Sequence, residues 1–266
     1  MKTGYAQVNG LEIYYEIHGA GEPLILLHGG LGSTGMFAGI LPALTATHQV
    51  IAVDLQAHGR TADIDRPLSS QSMAGDIAAL ARHLELRKAA VMGYSLGAAV
   101  AIRTAIQYPE LVAKLVVVST PCRRQGWYPE VLAAMEHVGA GSAEMMKPSP
   151  IYQTYARIAP RPADWPVLLT KIGESLRKDY DWSKEVAGIQ APAMLVFGDA
   201  DAVRPAHVVE FFELLGGGRR DAGWDRSGMS RARLAILPGL THYDILSSPL
   251  VAAVVAPFLD AAGSTG

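Results

Sequence analysis

Six predominantly apolar runs, at 24–27, 49–53, 89–92, 115–118, 193–197 and 234–237, alternate along the chain with segments of helical period. A strand without polar alternation is buried on both faces, as strands of parallel sheets are. Helices must then cover both faces, so the pattern predicts an α/β fold built on a mostly parallel sheet. Residues 11–17 differ: they alternate as an antiparallel edge strand does, and Val8-Asn9-Gly10 before them reads as a hairpin turn. Helices are expected at about 36–46, 71–86, 96–108, 205–215 and 249–262, with Pro109 stopping the third. In the second, Met73, Ile77, Leu80, Ala81 and Leu84 recur at spacings of three and four and form the face that meets the sheet.

The alternation lapses twice. Residues 121–187 hold Trp127, Trp165 and Trp182 with Tyr128, Tyr152, Tyr155 and Tyr180, and contain no continuous strand-like run. They are read as an inserted helical subdomain, with 1–120 and 188–266 as the two parts of one core. Its rings either line a pocket or pack a small core of their own. Residues 216–231 form a long loop without apolar periodicity, a kind of connection that is functional or mobile. Its arginines are mixed with Asp221 and Asp225, which fits a solvated loop better than a phosphate site.

Composition removes several classes of function. Of 266 residues, 50% are hydrophobic and 18% charged, which excludes a disordered chain. With 23 basic against 25 acidic residues there is no global field to attract a polyanion, so nucleic acid is not an expected partner. The single cysteine, Cys122, forms no internal disulfide; Arg123 and Arg124 beside it could lower its pKa, but a structural or incidental thiol is the expectation. The uncharged stretch Pro23 to Val53 is long enough for a membrane span, but Gly29, Gly30, Gly32, Gly35, Gly39, Pro42, His28 and His48 break it into shorter pieces. The first twenty residues include Glu12 and Glu16 and no apolar block before a small-residue cleavage site. A soluble cytoplasmic protein without a membrane partner is the expectation. Eight scattered histidines and no H-E-x-x-H pattern predict no catalytic metal.

The sharpest chemical signal is Gly93-Tyr94-Ser95-Leu96-Gly97, between the run 89–92 and a helix-like segment. A strand turning abruptly into a helix exposes the serine hydroxyl, and glycines two residues to either side relieve the crowding of that turn. A serine needs a base, and the base an orienting carboxylate. Downstream of Ser95, His137 lies in the aromatic insertion and His207 near a helix start, whereas His242 follows a strand, where α/β sheets build their sites. For the acid, the run at 193–197 leads into Gly198-Asp199-Ala200-Asp201. Either aspartate fits; one caps the turn while the other reaches the histidine.

With this order of nucleophile, acid and base, the chain resembles the α/β-hydrolase family nearly end to end. The motif after the third strand stands as His28-Gly29-Gly30, the strand-end aspartate with a following His-Gly-Arg as Asp54 and His58-Gly59-Arg60, and the nucleophile elbow as Gly93 to Gly97. The resemblance implies that Asp201 is the acid, that His242 is the base, and that the backbone N–H groups of Gly30 and Leu96 form an oxyanion hole. It also implies that 121–187 is a cap over the site, that no cofactor is needed, and that the substrate is a small-molecule carboxylic ester of small to medium apolar groups. Serine at the elbow separates the chain from dehalogenases and epoxide hydrolases of the family, which use aspartate there. Lactones, carbon–carbon cleavage and perhydrolysis stay open, as does a non-catalytic ligand-binding role. A rival reading rests on Gly30, Gly32 and Gly35, which fit G-x-G-x-x-G with Asp54 about twenty residues on, as in NAD-dependent oxidoreductases. It leaves Ser95, Asp201 and His242 without a role. Oligomeric state is not set by the sequence.

Overall fold

The computed structural model describes residues 1–261. The last expected helical residue, 262, and the end of the segment 188–266 lie outside the described residues. Eight strands are formed: β1 Lys2–Val8, β2 Leu11–His18, β3 Glu22–Leu27, β4 His48–Val53, β5 Ala89–Tyr94, β6 Val112–Val118, β7 Ala193–Ala200 and β8 Ala232–Thr241. They make one sheet in the order β1-β2-β4-β3-β5-β6-β7-β8, in which β2 pairs antiparallel with both β1 and β4 and the other neighbours are parallel. The α/β expectation is met, with one correction at its margin. Residues 11–17 do fall on an antiparallel strand, but the edge is β1, whose Lys-Thr-Gly-Tyr start carries little strand signal.

The helices are α1 Leu41–Leu44, α2 Ser70–His83, α3 Leu96–Gln107, α4 Pro129–Glu136, α5 Ala143–Met146, α6 Pro150–Ile158, α7 Trp165–Arg177, α8 Ser183–Val186, α9 Pro205–Leu214 and α10 Pro249–Asp260. The continuous helix expected at 36–46 does not form. A 3-10 turn, Thr34–Phe37, and the single turn α1 replace it, because Pro42 sits in the first turn of α1 and Gly39 packs against the Leu246 carbonyl. None of these helices is long and apolar enough to cross a membrane.

Side chains of the central strands alternate between two apolar layers, as the period of two requires. Ile25, Leu27, Ile51, Val53, Val91, Leu115, Val117 and Leu195 join α2 and α3 on one face; Leu24, Leu26, Val50, Ala52, Met92, Val116, Val118 and Val196 join α1 and α10 on the other. A third cluster packs Trp165, Leu168, Leu169, Ile172 and Tyr155 of the segment 121–187 with Ala57 and Leu68. From β3 the chain passes to β4 on one side and later to β5 on the other, so the connections after β3 and β5 diverge at the carboxyl ends of adjacent strands. Such a divergence opens a crevice, where sheets of this kind hold their ligands. His28-Gly29-Gly30 and Ser95 follow those two strands.

Candidate active site

Ser95 stands between β5 and α3 at φ 51° and ψ −115°, a backbone region that disfavours side chains. The glycines beside it are forced: a Cβ on Gly93 would overlap the Gly97 carbonyl, and one on Gly97 would overlap the carbonyls of Leu27 and His28. Three contacts brace the turn. The Ser95 N–H donates to the Val118 carbonyl at 3.0 Å, the Ser95 carbonyl accepts the Thr120 hydroxyl at 2.6 Å, and the Ala99 N–H closes the helix on it at 3.0 Å. The end of β3 therefore lies against the first turn of α3, and Gly29 comes against the side chains of Tyr94 and Ser95. Among the described residues, neither the Gly30 nor the Leu96 N–H donates to a protein acceptor.

The structure brings Ser95, His242 and Asp201 together from three different connections. Ser95 Oγ lies 3.2 Å from His242 Nε2, and His242 Nδ1 lies 3.3 Å from Asp201 Oδ1. Asp201 is buried and also accepts the Ser119 hydroxyl at 2.5 Å, the Gly198 N–H at 3.3 Å and the Val203 N–H at 3.2 Å. Burial pushes its carboxyl up, but the bonds from His242 and Ser119, the imidazole's charge and the Gly198 amide outweigh it and hold the group below the usual carboxylate range. Asp199, two residues earlier, is exposed and accepts the Gly239 N–H at 2.8 Å, the local role of a turn aspartate. His137 ends α4 and is absent from this cluster. His207 is buried in the first turn of α9, where its Nε2 accepts the Cys122 N–H at 3.2 Å and its Nδ1 donates to Glu210 at 3.3 Å.

Three residues around this cluster carry no signal singled out in the sequence. The Tyr94 hydroxyl donates to the His242 carbonyl at 2.6 Å and so ties the elbow to the histidine loop. Ser119 holds Asp201 from the end of β6. Its place just beyond an apolar run was a legible signal, because side chains at strand ends reach the crevice. Asp244 accepts both the N–H and the hydroxyl of Thr241 at 2.8 Å, fixing the turn that carries His242.

The tryptophans of the aromatic insertion differ in what they touch. Trp127 lies edge-on to the His242 ring at 5.5 Å, held by the pairing of Trp127 with Val203 and by the Tyr128 N–H donating to the Ala202 carbonyl at 3.1 Å. Trp165 is buried in the third cluster and donates to the Ala143 carbonyl at 3.2 Å, while Trp182 packs on Tyr180 and under Arg103. All three tryptophans are buried, and Trp127 is the one whose ring meets His242. Truncating Trp165 to Ala is expected to cost about 3–5 kcal/mol of stability with substrate preference unchanged, whereas Trp127→Ala changes kcat and acyl-length preference with a smaller loss. Denaturant titration beside an ester panel on both variants checks this, and matched substrate profiles for the two would remove Trp127 from the site.

Two weaker features of the sequence take structural places. The Gly30-to-Gly35 fingerprint opens only a 3-10 turn, and fully buried Asp54 accepts the Thr34 N–H at 2.7 Å and the Arg60 N–H at 2.8 Å, leaving neither oxygen for a ribose. The Cys122 thiol is not activated: burial raises it to about 11 despite Arg123. Among the described residues no group of three His, Cys, Asp or Glu side chains is placed to hold a metal.

Beneath the loop, His28 donates from Nδ1 to the Gly29 carbonyl at 2.7 Å and accepts the Leu55 N–H at 3.0 Å, and His58 donates to the Gln56 carbonyl at 2.8 Å. Burial lowers His28 to about 4 and, with help from the nearby His28 charge, His58 to about 3. The unfolded chain takes up these protons near the ordinary histidine value, so stability is full above pH ~6.5 and falls as pH drops toward 4, by at most about 1.4 kcal/mol per pH unit for each ring. His58 Nε2 has no partner among the described residues, so His58→Gln keeps most contacts. Unfolding free energy measured from pH 7.5 to 4.5 should show a shallower slope in that variant, and an unchanged slope would contradict the assignment.

A family model described as alpha/beta hydrolase fold matches residues 22–147. A pimeloyl-acyl-carrier-protein methyl ester esterase of Nitrosomonas europaea is 28% identical over 262 residues, covering 89% of this chain and 95% of that one. Among solved structures, E-2-(acetamidomethylene)succinate hydrolase is similar with TM-score 0.76 and 21% identity over 98% of this chain and 99% of that one. An enol-lactonase from Burkholderia xenovorans LB400 is similar with TM-score 0.72 and 21% identity over 97% of this chain and 100% of the other. At these identities the structural likeness is one of fold.

Proposed function

The chain belongs to the α/β-hydrolase family, and we propose that it is a serine hydrolase that cleaves small to medium apolar carboxylic esters through an acyl-enzyme. The observation that carries this reading is the unbroken relay from Ser95 through His242 to Asp201 at 3.2 and 3.3 Å, with the serine on a strained elbow. Ser95 Oγ attacks the ester carbonyl as His242 Nε2 takes its proton. The imidazolium, oriented and stabilised by Asp201, passes that proton to the leaving alkoxide. Water then repeats the sequence against the acyl-enzyme, releasing the acid and freeing Ser95. The Gly30 and Leu96 amides are the donors for the oxyanion, and the position of Leu96 at the N-terminus of α3 adds to the stabilisation.

Substrate size follows from what overhangs Ser95. Ile172 Cδ1 of α7 comes within 3.9 Å of the position a Gly30 Cβ would occupy, and Trp127 closes the side next to His242. In this reading 121–187 is a cap that limits the acyl group to a short apolar one, each buried methylene contributing about 0.8 kcal/mol. A panel of p-nitrophenyl esters from acetyl to decanoyl, with lactones alongside, is the test. Turnover with a preference for short acyl chains and survival of activity on exhaustive chelation are expected. A protein that binds these esters without turning them over, or that needs NAD or a metal, sinks the reading.

A further inference from the structure

The segment 216–234 lies at the far end of the sheet from Ser95. It enters β8 at Ala232, paired with Ala193 at the start of β7, whereas the triad end of the same pair is Ala200 with Thr241. It carries five arginines against two aspartates, a local positive excess in a chain of formal charge −2. A cavity of about 660 Å³ opens there between Phe212, Met229 and Leu234, with Arg219, Arg220 and Arg233 on its wall. Those arginines donate to backbone carbonyls, Arg219 to Glu213, Arg220 to Ser227 and Arg233 to Ser230 and Ala232, and none pairs with a carboxylate among the described residues.

The loop beside this groove has the opposite character. Trp224 is fully exposed, and Asp221 and Asp225 flank it. Each aspartate accepts one backbone N–H at 3.0 Å, Asp221 from Gly223 and Asp225 from Ser227, and its second oxygen has no partner among the described residues. The tip is an ordered one: the Gly228 N–H donates to the Ala222 carbonyl at 2.9 Å, and a Cβ on Gly228 would overlap that crossing. A large aromatic held in water by a structured turn leaves considerable apolar area to be covered.

We propose that this face joins two copies of the chain, the Asp221-Trp224-Asp225 tip of each entering the arginine-walled groove of the other. The indole meets Phe212, Met229 and Leu234 while its face lies against guanidinium groups, and the carboxylates meet the unpaired arginines. A twofold contact requires both complementary halves on one surface, which is the arrangement found. A lipid or nucleic-acid partner is disfavoured, because Asp221 and Asp225 would meet its phosphates. Both active sites stay open at the opposite ends of the sheets.

Sedimentation equilibrium of the full chain between about 1 and 100 μM tests the proposal, a range suited to a contact built on one aromatic anchor per copy. The wild type is expected to be a dimer, with Trp224→Ala and the double variant Arg219→Glu, Arg220→Glu each weakening it at least about tenfold while circular dichroism and ester turnover hold. A monomeric wild type, or variants that dimerise as the parent does, would overturn it. So would capture of a monomer by phosphatidylglycerol vesicles that Trp224→Ala abolishes.

Discussion

Ser95→Ala is expected to lower kcat by roughly 10⁶-fold, with KM and the thermal midpoint close to those of the parent. The residue is half-buried at a position whose strain comes from the backbone, so removing one oxygen leaves the elbow, its flanking glycines and its three bracing bonds in place. Only the bond to His242 is lost, and in this account that bond is the chemistry. A nucleophile and its base act as a unit, so His242→Ala should cost about as much, and the two losses should not add. A fall in activity confined to KM, or a loss in kcat of less than about tenfold, would remove the serine from the reaction.

Asp201→Asn is expected to lower kcat by about 10⁴-fold in a folded protein, while Asp199→Asn keeps most of its activity. An amide at 201 cannot accept both the His242 Nδ1–H and the Ser119 hydroxyl as the carboxylate does, so the imidazole is free to turn or to take the wrong tautomer. The effect on stability carries a sign. A carboxyl held below its ordinary range in the folded state stabilises the fold above that range and loses the contribution as pH falls through the depressed value. Asp201→Asn should therefore lose stability near neutral pH and converge on the parent in strong acid. Asp199 meets only the Gly239 amide, and its replacement should cost about 1 kcal/mol. Kinetics and thermal midpoints of the pair decide between them, and the reverse pattern would move the acid to Asp199.

The central strands were legible because their burial on both faces writes itself as predominantly apolar runs, and β3 to β8 begin or end within a few residues of those runs. The edge was not: β1 pairs on one side only and offers Gly and Lys where a central strand offers Val and Ile. The elbow was legible because a turn as tight as that at Ser95 tolerates only glycine where the Gly93 and Gly97 backbones meet their neighbours. Trp127 and Trp165 were indistinguishable in sequence, since both are aromatic residues in an aromatic-rich segment. Their difference arises from a tertiary event, the pairing of Trp127 with Val203 just after Asp201, which no local pattern records. Ser119 escaped for a similar reason, since a lone serine after a strand acquires meaning only when Asp201 folds against it.

The proposed chemistry requires Ser95 to be a nucleophile activated by its surroundings, and reaction with a fluorophosphonate tests that most directly. Ordinary serines do not attack such phosphorus centres at a measurable rate, whereas one deprotonated by His242 as it attacks does. Intact-mass measurement should show a single stoichiometric adduct on the wild type, peptide mapping should place it on Ser95, and Ser95→Ala should stay unlabelled. An unlabelled wild type, or an adduct that persists in Ser95→Ala, would contradict it.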